Sequence, residues 1–469
     1  MTDIQLHDLD QTLWAHSTRR GSGRDVRVLA LASAANFLTI LDLWVVSIAY
    51  PSFERVFLPA TLSDVSWILN AYALVLAAML IPSGRVADGI GRKRWFLAGL
   101  VTFGVASTGC GAAPTLPALI AFRAMQGVGA AMLMPTSLGF ALSAFPEKER
   151  GAAVGIWAAV GAAAAGSGPL VGGLLLTLNW RWLFLINVPL IVIAVVEGVR
   201  HLPSTSARAR RDVDWLGALL VFAATALVCT ALVEAGTWTR ASEWATLWTS
   251  ACVWGAFVFH VLGHRDPIVT PRLFALRRFR TGAAGIFVYY VGFASMLVGS
   301  TMLLTDCYGL SAFRAALAIA PGPCTAALLS PFSGRLSARF GFRSVVVSGA
   351  VFFAAAGAWL LLGAATASGY ASSVLPGLIC WGIANALLQP ALFATADSAP
   401  SAELSSASAV LTMARQLGSA VGVALLVAAL ENRHSPSLDL LRRAWIIVIA
   451  TAALLVVLGL RGAPGDGQD

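Results

Sequence analysis

Two ionisable side chains interrupt long apolar stretches at matching depth. Asp42 lies in NFLTILDLWVVSIAYP and Arg123 in ALIAFRAMQGVGAAM. If both stretches are membrane helices, such groups are costly to bury and mark function by default. Asp42 lies ~21 Å from its helix start near residue 28 at 1.5 Å per residue. The Arg123 helix runs the other way, placing Arg123 ~10 Å from its start at 116, or ~20 Å above the first face of a ~30 Å core. The depths agree, so the two can pair. Two chemistries are open to that pair. One is a structural salt bridge between helices. The other is a proton site, in which the carboxylate is protonated at one stage and paired at another, coupling proton flow to a change of shape. Arg415, in LTMARQLGSAVGVALL, lies ~18 Å along its own helix, with no acid at that depth in its half of the chain. One deep acid and two deep arginines argue against a cavity built for dications. Neutral, monocationic and anionic compounds stay open.

Further polar and aromatic residues fall near mid-depth: Trp44, Asn70, Gln126, Trp381, Asn385 and Gln389. With Arg415 they are candidate lining of a central cavity, although each serves equally well as polar glue between helices. The stretch GAAVGIWAAVGAAAAGSGPLVGG is small-residue-rich, which permits close helix packing. Pro169 removes a backbone donor there and favours a bend, with Gly166, Gly168, Gly172 and Gly173 beside it. His260 and His264 share one helix face. With no third ligand apparent, they read as interfacial, and no metal or cofactor is expected. The chain has no HExxH motif and no CxxC spacing, which leaves a membrane enzyme without a chemical basis.

These residues need membrane helices to position them. The chain is 58% hydrophobic and 12% charged, against about 25% charge in soluble domains. We read fourteen apolar runs long enough to span a bilayer. Residues 1–27 lack the apolar core of a signal peptide. The six cysteines lie in or beside apolar runs and read as packing residues. With the N-terminus inside, 23 of the 32 Lys and Arg fall on inner segments and seven on outer ones, so both termini are expected to be cytoplasmic. That bias accounts for the net charge of +9 without a nucleic-acid partner. Trp180, Trp182, Trp238, Trp244 and Trp248 are expected at the outer interface.

A loop recurs. SGRVADGIGRKRW at 83–95 follows the second run, and SGRLSARFGFR at 333–343 follows the tenth, with Ala338 in place of Asp88. A basic, glycine-bearing loop found twice implies internal duplication, a feature of secondary transporters. Runs 1–6 then match runs 9–14, with 7 and 8 left as an inserted hairpin. The expected organisation is an all-α membrane protein of six plus two plus six helices. It has a cytoplasmic tail at 1–27, a six-helix bundle at 28–199, inner loops with the hairpin at 200–279, a second bundle at 280–461 and a tail at 462–469.

The pattern Gly84-x3-Asp88-x2-Gly91-Arg92-Lys93 resembles the loop signature of the major facilitator superfamily. LDLWVVSIAYP, SWILNAYALV, RAMQGVGAAM, GSGPLVGG, WRWLFLINVP, DWLG and RQLGSAVGVAL extend the likeness to the 14-helix drug:proton antiporters of that superfamily. The resemblance covers roughly residues 28–460. It implies the major-facilitator fold and proton-driven efflux of a small amphiphilic organic compound across the cytoplasmic membrane by alternating access. A monomer is expected, with protons, a small-molecule substrate and the lipid bilayer as its partners. Asp42 and Arg123 inherit proton coupling, and Gly168, Pro169 and Gly172 an exporter signature. Gly84, Asp88, Gly91, Arg92 and Arg94 inherit an inner gate, in which Asp88 and Arg92 pair with neighbouring helices. An uptake symporter or facilitator on the same scaffold is the alternative reading.

Overall fold

A computed structural model describes residues 23–203, 213–234, 238–363, 369–400, 404–430 and 438–461. Most of the expected N-terminal tail, all of the 462–469 tail and the basic stretch 204–212 lie outside the described residues. The described chain is helical, with no strand among the described residues. Fourteen helices are long and apolar enough to cross a membrane. They are α1 (Asp25–Ser47), α2 (Leu62–Ile90), α3 (Arg92–Ala112), α4 (Leu116–Ser143), α5 (Ala159–Leu178), α6 (Trp182–His201), α7 (Trp215–Val233) and α8 (Arg240–Gly263). Then come α9 (Arg277–Cys307), α10 (Ala312–Ser337), α11 (Arg339–Gly363), α12 (Tyr370–Ser398), α13 (Ser406–Leu430) and α14 (Leu441–Arg461).

Local chemistry sets where the helices begin. Thr61 and Asp64 form a capping box at the start of α2. Thr115, Thr239 and Ser311 cap α4, α8 and α10, and Asp214 caps α7 through the Gly217 N–H. Between α2 and α3 the chain turns at Gly91, with φ of 99°. Gly341, at φ of 80°, makes the corresponding break in the first turn of α11. Each glycine stands seven residues after the first glycine of its repeat, Gly84 or Gly334. A side chain is strained at either φ, so both copies of the loop keep glycine at the one place the backbone requires it.

In the first six helices α1 packs on α4, α5 and α6, and α4 packs on α2 and α3. In the last six, α9 packs on α13 and α14, while the α10–α11 stretch packs on α12 and α14. Two seams join these groups, α2 with α13 and α5 with α10. If α1–α6 are matched to α9–α14, each seam maps onto the other. The α5–α10 contact is concentrated in Ala312–Ile319. α7 and α8 pair as a hairpin, and α7 lies against both α2 and α13. The Ser63 hydroxyl donates to the Val233 carbonyl at 3.0 Å, tying α2 to the far end of α7. Broad apolar surfaces face outward, including Phe259, Leu262, Leu328 and Trp248, as bilayer-facing helices require. Trp182, Trp238 and Trp244 are also exposed. Trp180 differs from expectation. It is buried in a ring cluster with Phe53, Phe57 and Phe184, its face covered by Arg181, so it packs the protein rather than the interface.

Candidate functional site

Asp42 on α1 and Arg123 on α4 meet. Arg123 Nη1 donates to Asp42 Oδ2 at 2.5 Å, and neither side chain has any exposed surface. Their depths along the two helices match, as the count of residues from each helix start predicts. The other carboxylate oxygen, Oδ1, accepts from Gln126 Nε2 at 2.8 Å and from Asn187 Nδ2 at 3.0 Å. Gln126 also accepts from Arg123 Nη1 at 2.7 Å and donates to Ser107 Oγ at 2.9 Å. Arg123 Nε donates to the Ile68 carbonyl at 3.0 Å, and its guanidinium carbon stands 4.3 Å from the Tyr72 ring centre. The carboxylate thus receives one cationic and two neutral donors from α4 and α6. The arginine is braced by α2 through a carbonyl and an aromatic face. Arg123 Nη2 has no hydrogen-bond partner. A buried charge couple of this kind is strongly destabilised by losing either member.

The residues read as cavity lining divide. Gln126 belongs to the ion-pair cage, because it stands one turn beyond Arg123 on the same helix face. Asn70 and Trp381 are buried, with Asn70 Nδ2 and Oδ1 and Trp381 Nε1 unpartnered. Trp44, Asn385, Gln389 and Arg415 keep partial exposure. Trp44 meets Phe293 edge-on at 5.5 Å, linking α1 to α9 two residues beyond Asp42. Arg415 stands 5.9 Å from both the Tyr290 and Phe393 ring centres and has no ion pair among the described residues.

On α5, Gly168 and Gly172 face α1 at Trp44 and at Val45–Ile48. Gly173 faces α10, where an added Cβ would stand 2.8 Å from Phe313 Cα. The glycines therefore let α5 lie close to both neighbours beside the ion pair. Gly166 has open space around it. Pro169 is a buried interior position of the helix.

In the 83–95 loop, Asp88 and Arg92 pair with each other at 3.2 Å, one turn apart and partly exposed. Arg92 also lies against Gly139 of α4, and Arg85 and Lys93 reach neighbouring segments. Arg85 donates to the Asp266 and Pro267 carbonyls at 2.7 and 2.8 Å. Lys93 Nζ donates to the Val199 and Leu202 carbonyls at the C-terminus of α6, at 2.8 Å each, where the helix dipole favours a cation. Gly84 lies against Pro135 of α4, and Arg94 is exposed. At the opposite end, Arg55 pairs with Asp306 at 3.4 Å. Burial raises the Glu54 carboxyl above its ordinary range, helped by Asp306 and opposed by Arg55.

The structure also supplies a third partner for the two histidines. His260 Nε2 lies 2.7 Å from Asp214 Oδ1. Burial pushes the Asp214 carboxyl up, yet it sits below its ordinary range because Gly217 N–H, His260 and Ile268 N–H all stabilise the anion.

A profile of the Major Facilitator Superfamily matches residues 32–423. The chain belongs to that superfamily. It is 35% identical over 419 residues to the puromycin resistance protein pur8 of Streptomyces alboniger, covering 85% of this chain and 80% of that one. It is 29% identical over 408 residues to the multidrug resistance protein Stp of Mycobacterium tuberculosis, covering 86% and 75%. The crystal structure of a D-xylose–proton symporter shares the fold, with a TM-score of 0.68 over 94% of this chain and 98% of that one at 15% identity. This major facilitator is a multi-pass membrane transporter and not an enzyme.

Proposed function

We propose that this chain exports small amphiphilic organic compounds across the cytoplasmic membrane in exchange for protons. Resistance proteins among its relatives support the export reading. The buried Asp42–Arg123 pair carries the proton reading. With both charges present the pair is neutral and can stay dry. Adding a proton to Asp42 leaves Arg123 as an uncompensated buried cation, a state that favours reopening of the site to water. Proton arrival is thereby tied to a change of shape. Trp44, Asn385, Gln389 and Arg415 are assigned to the substrate cavity. Gly84, Asp88, Gly91, Arg92 and Arg94 form the gate at the cytoplasmic end, together with Arg85 and Lys93. The α5 glycines give the close, sliding contact with α1 and α10. Seam contacts that exchange when α1–α6 are matched to α9–α14 support bundles at 28–199 and 280–461. The hairpin within 200–279 packs on α2 and α13 through α7. The working unit is a monomer with both termini cytoplasmic.

Everted membrane vesicles test the proposal. Puromycin is supplied outside, and an acid-inside gradient is imposed. Puromycin accumulation that collapses when the pH gradient is dissipated is the expected result. Transport that ignores the gradient would remove proton coupling. Gradient-driven movement in the opposite direction would make the protein a symporter.

A further inference from the structure

The geometry points to a binding site for a first-row divalent metal of the zinc type, built from Asp214, His260 and His264 at the motif-loop end of the α7–α8 hairpin. One donor atom from each of the three lies within 4.8 Å of the others. His260 closes the last turn of α8 and His264 caps it, their ring centres 4.9 Å apart. Asp214 begins α7 and is buried, whereas both histidines are partly exposed. A metal could therefore enter from the aqueous side onto an anion that is already fixed.

That anion is pre-oriented. Gly217 N–H donates to Oδ1 at 2.7 Å and Ile268 N–H donates to Oδ2 at 2.8 Å. A carboxylate has about four lone-pair positions. The two backbone bonds and His260 use three, and the His260 contact is the one a metal replaces. Backbone donors thus do the orienting work that ligating carboxylates generally receive from an outer shell. On His264 the competing bond is weak, from Asp266 N–H to Nδ1 at 3.2 Å. Tetrahedral zinc bonds of about 2.0–2.1 Å place ligand atoms ~3.3 Å apart. From within 4.8 Å of one another, the ligand atoms need shift only on the scale that rotation of two partly exposed imidazoles supplies. Two imidazoles and one carboxylate suit zinc, cobalt or nickel and not calcium or magnesium, which take all-oxygen sites. Three protein ligands leave a fourth position for water.

The site also has a place in the fold. The Ile268 N–H on Asp214 belongs to the same loop whose Asp266 and Pro267 carbonyls hold Arg85. A metal would clamp the start of α7, the end of α8 and the loop that grips the 83–95 hairpin.

The test uses the full chain, purified in detergent with a histidine-free affinity tag and stripped with chelator. Cobalt(II) is titrated while its visible d–d absorption is followed, and zinc is then added to displace it. One equivalent of cobalt with tetrahedral band intensity, displaced by zinc, is expected. His260→Gln and His264→Gln should each weaken binding by more than about 10-fold, the scale on which even outer-shell losses register. His201→Gln, at the end of α6, should leave it unchanged. Absence of a saturable band overturns the proposal, as does binding that either of the two imidazole variants leaves intact. The Asp214–His260 contact would then be a clasp between helices. Because the readout is metal binding, failure here leaves the transport reading untouched, and failure of proton-driven export leaves the metal site standing.

Discussion

Neutralising Asp42 separates structure from coupling in this protein. In Asp42→Asn the amide oxygen can still accept from two of the three donors now on the carboxylate. The amide nitrogen must then face the third, unless Asn187 turns its unpartnered Oδ1 inward to accept from it. If the oxygen keeps Gln126 and Asn187, the nitrogen faces Arg123 Nη1. Arg123 becomes a buried cation with the Ile68 carbonyl, the Gln126 oxygen and the Tyr72 face as its remaining support. Breaking a buried pair in this way costs about 3–5 kcal/mol. Arg123→Gln leaves the acid buried with two neutral donors and should cost a similar amount. The double variant has no stranded charge, so its loss should fall well below the sum of the two, by about 2–3 kcal/mol or more. Unfolding of detergent-purified protein, followed by a thiol-reactive dye or by fluorescence, reads the cycle. Transport in proteoliposomes reads the coupling. The double variant should regain stability yet show no substrate movement driven by a pH gradient, while downhill exchange of substrate persists. Additive stability losses would mean that the two residues do not act as a pair. Undiminished gradient-driven transport in Asp42→Asn would remove Asp42 from the mechanism.

Three further outcomes follow from single positions. Gly91→Ala and Gly341→Ala place a side chain at positive φ, each costing about 1–3 kcal/mol. Both should lower the unfolding midpoint, and a midpoint unchanged in either would show that its loop relaxes freely. Gly173→Val inserts branched carbons into the α5–α10 contact at Phe313. It should abolish transport while leaving membrane insertion intact, with an overpacking cost of about 1–3 kcal/mol, and normal transport would show that this seam is not used. Glu54 has its proton affinity raised in the folded protein, chiefly by burial. Its contribution to stability is therefore full in acid and is lost as pH rises through its elevated pKa. Glu54→Gln should flatten that part of the stability–pH curve, measured by thermal unfolding between acid and neutral pH, and an unaltered curve would place the dependence elsewhere.

Much of the helical frame was legible because a bilayer imposes length and polarity on every span. Depth counting was enough to bring Asp42 and Arg123 to the same level, since helical rise is constant. The cage around them was harder to read. Asn187 stands in the WRWLFLINVP stretch at the start of α6, where a buried amide has no periodic signature, and the Ile68 carbonyl has no signature at all. Gln126 was legible as a deep polar group, but which way it turned depended on its neighbour three residues earlier. In the 83–95 loop, the gating expectation came from the family resemblance, with Asp88 and Arg92 as its pairing residues. The choice of Arg85 and Lys93 as the residues reaching neighbouring backbone carbonyls was set by where Asp266, Pro267, Val199 and Leu202 end up. Asp214 was hidden from its histidines for the same reason, because the α7–α8 hairpin brings its two ends together over 46 residues of sequence.

The duplicated frame and the unequal charges have different physical causes. A backbone at positive φ makes the same demand wherever it occurs, so Gly91 and Gly341 are held alike in both copies of the loop. A buried ion pair makes no such demand twice. It costs desolvation each time it is built, and one pair suffices to sense one proton. The first six helices carry Asp42 and Arg123, and the second six carry Arg415 beside Tyr290 and Phe393 with no ion pair among the described residues. On the proposed proton coupling, protonation at Asp42 changes the charge on one side of the α2–α13 and α5–α10 seams and not the other. Trp44, two residues from Asp42 on α1, rests against Phe293 on α9. A shift of α1 that follows loss of the pair is delivered across the seam by this ring contact, and α5 rides with it because Gly168 and Gly172 lie on the same stretch of α1. Alternation between two shapes then needs no second proton site, because the asymmetry in charge supplies the bias and the symmetry in backbone supplies the two matching seams about which the halves can rock.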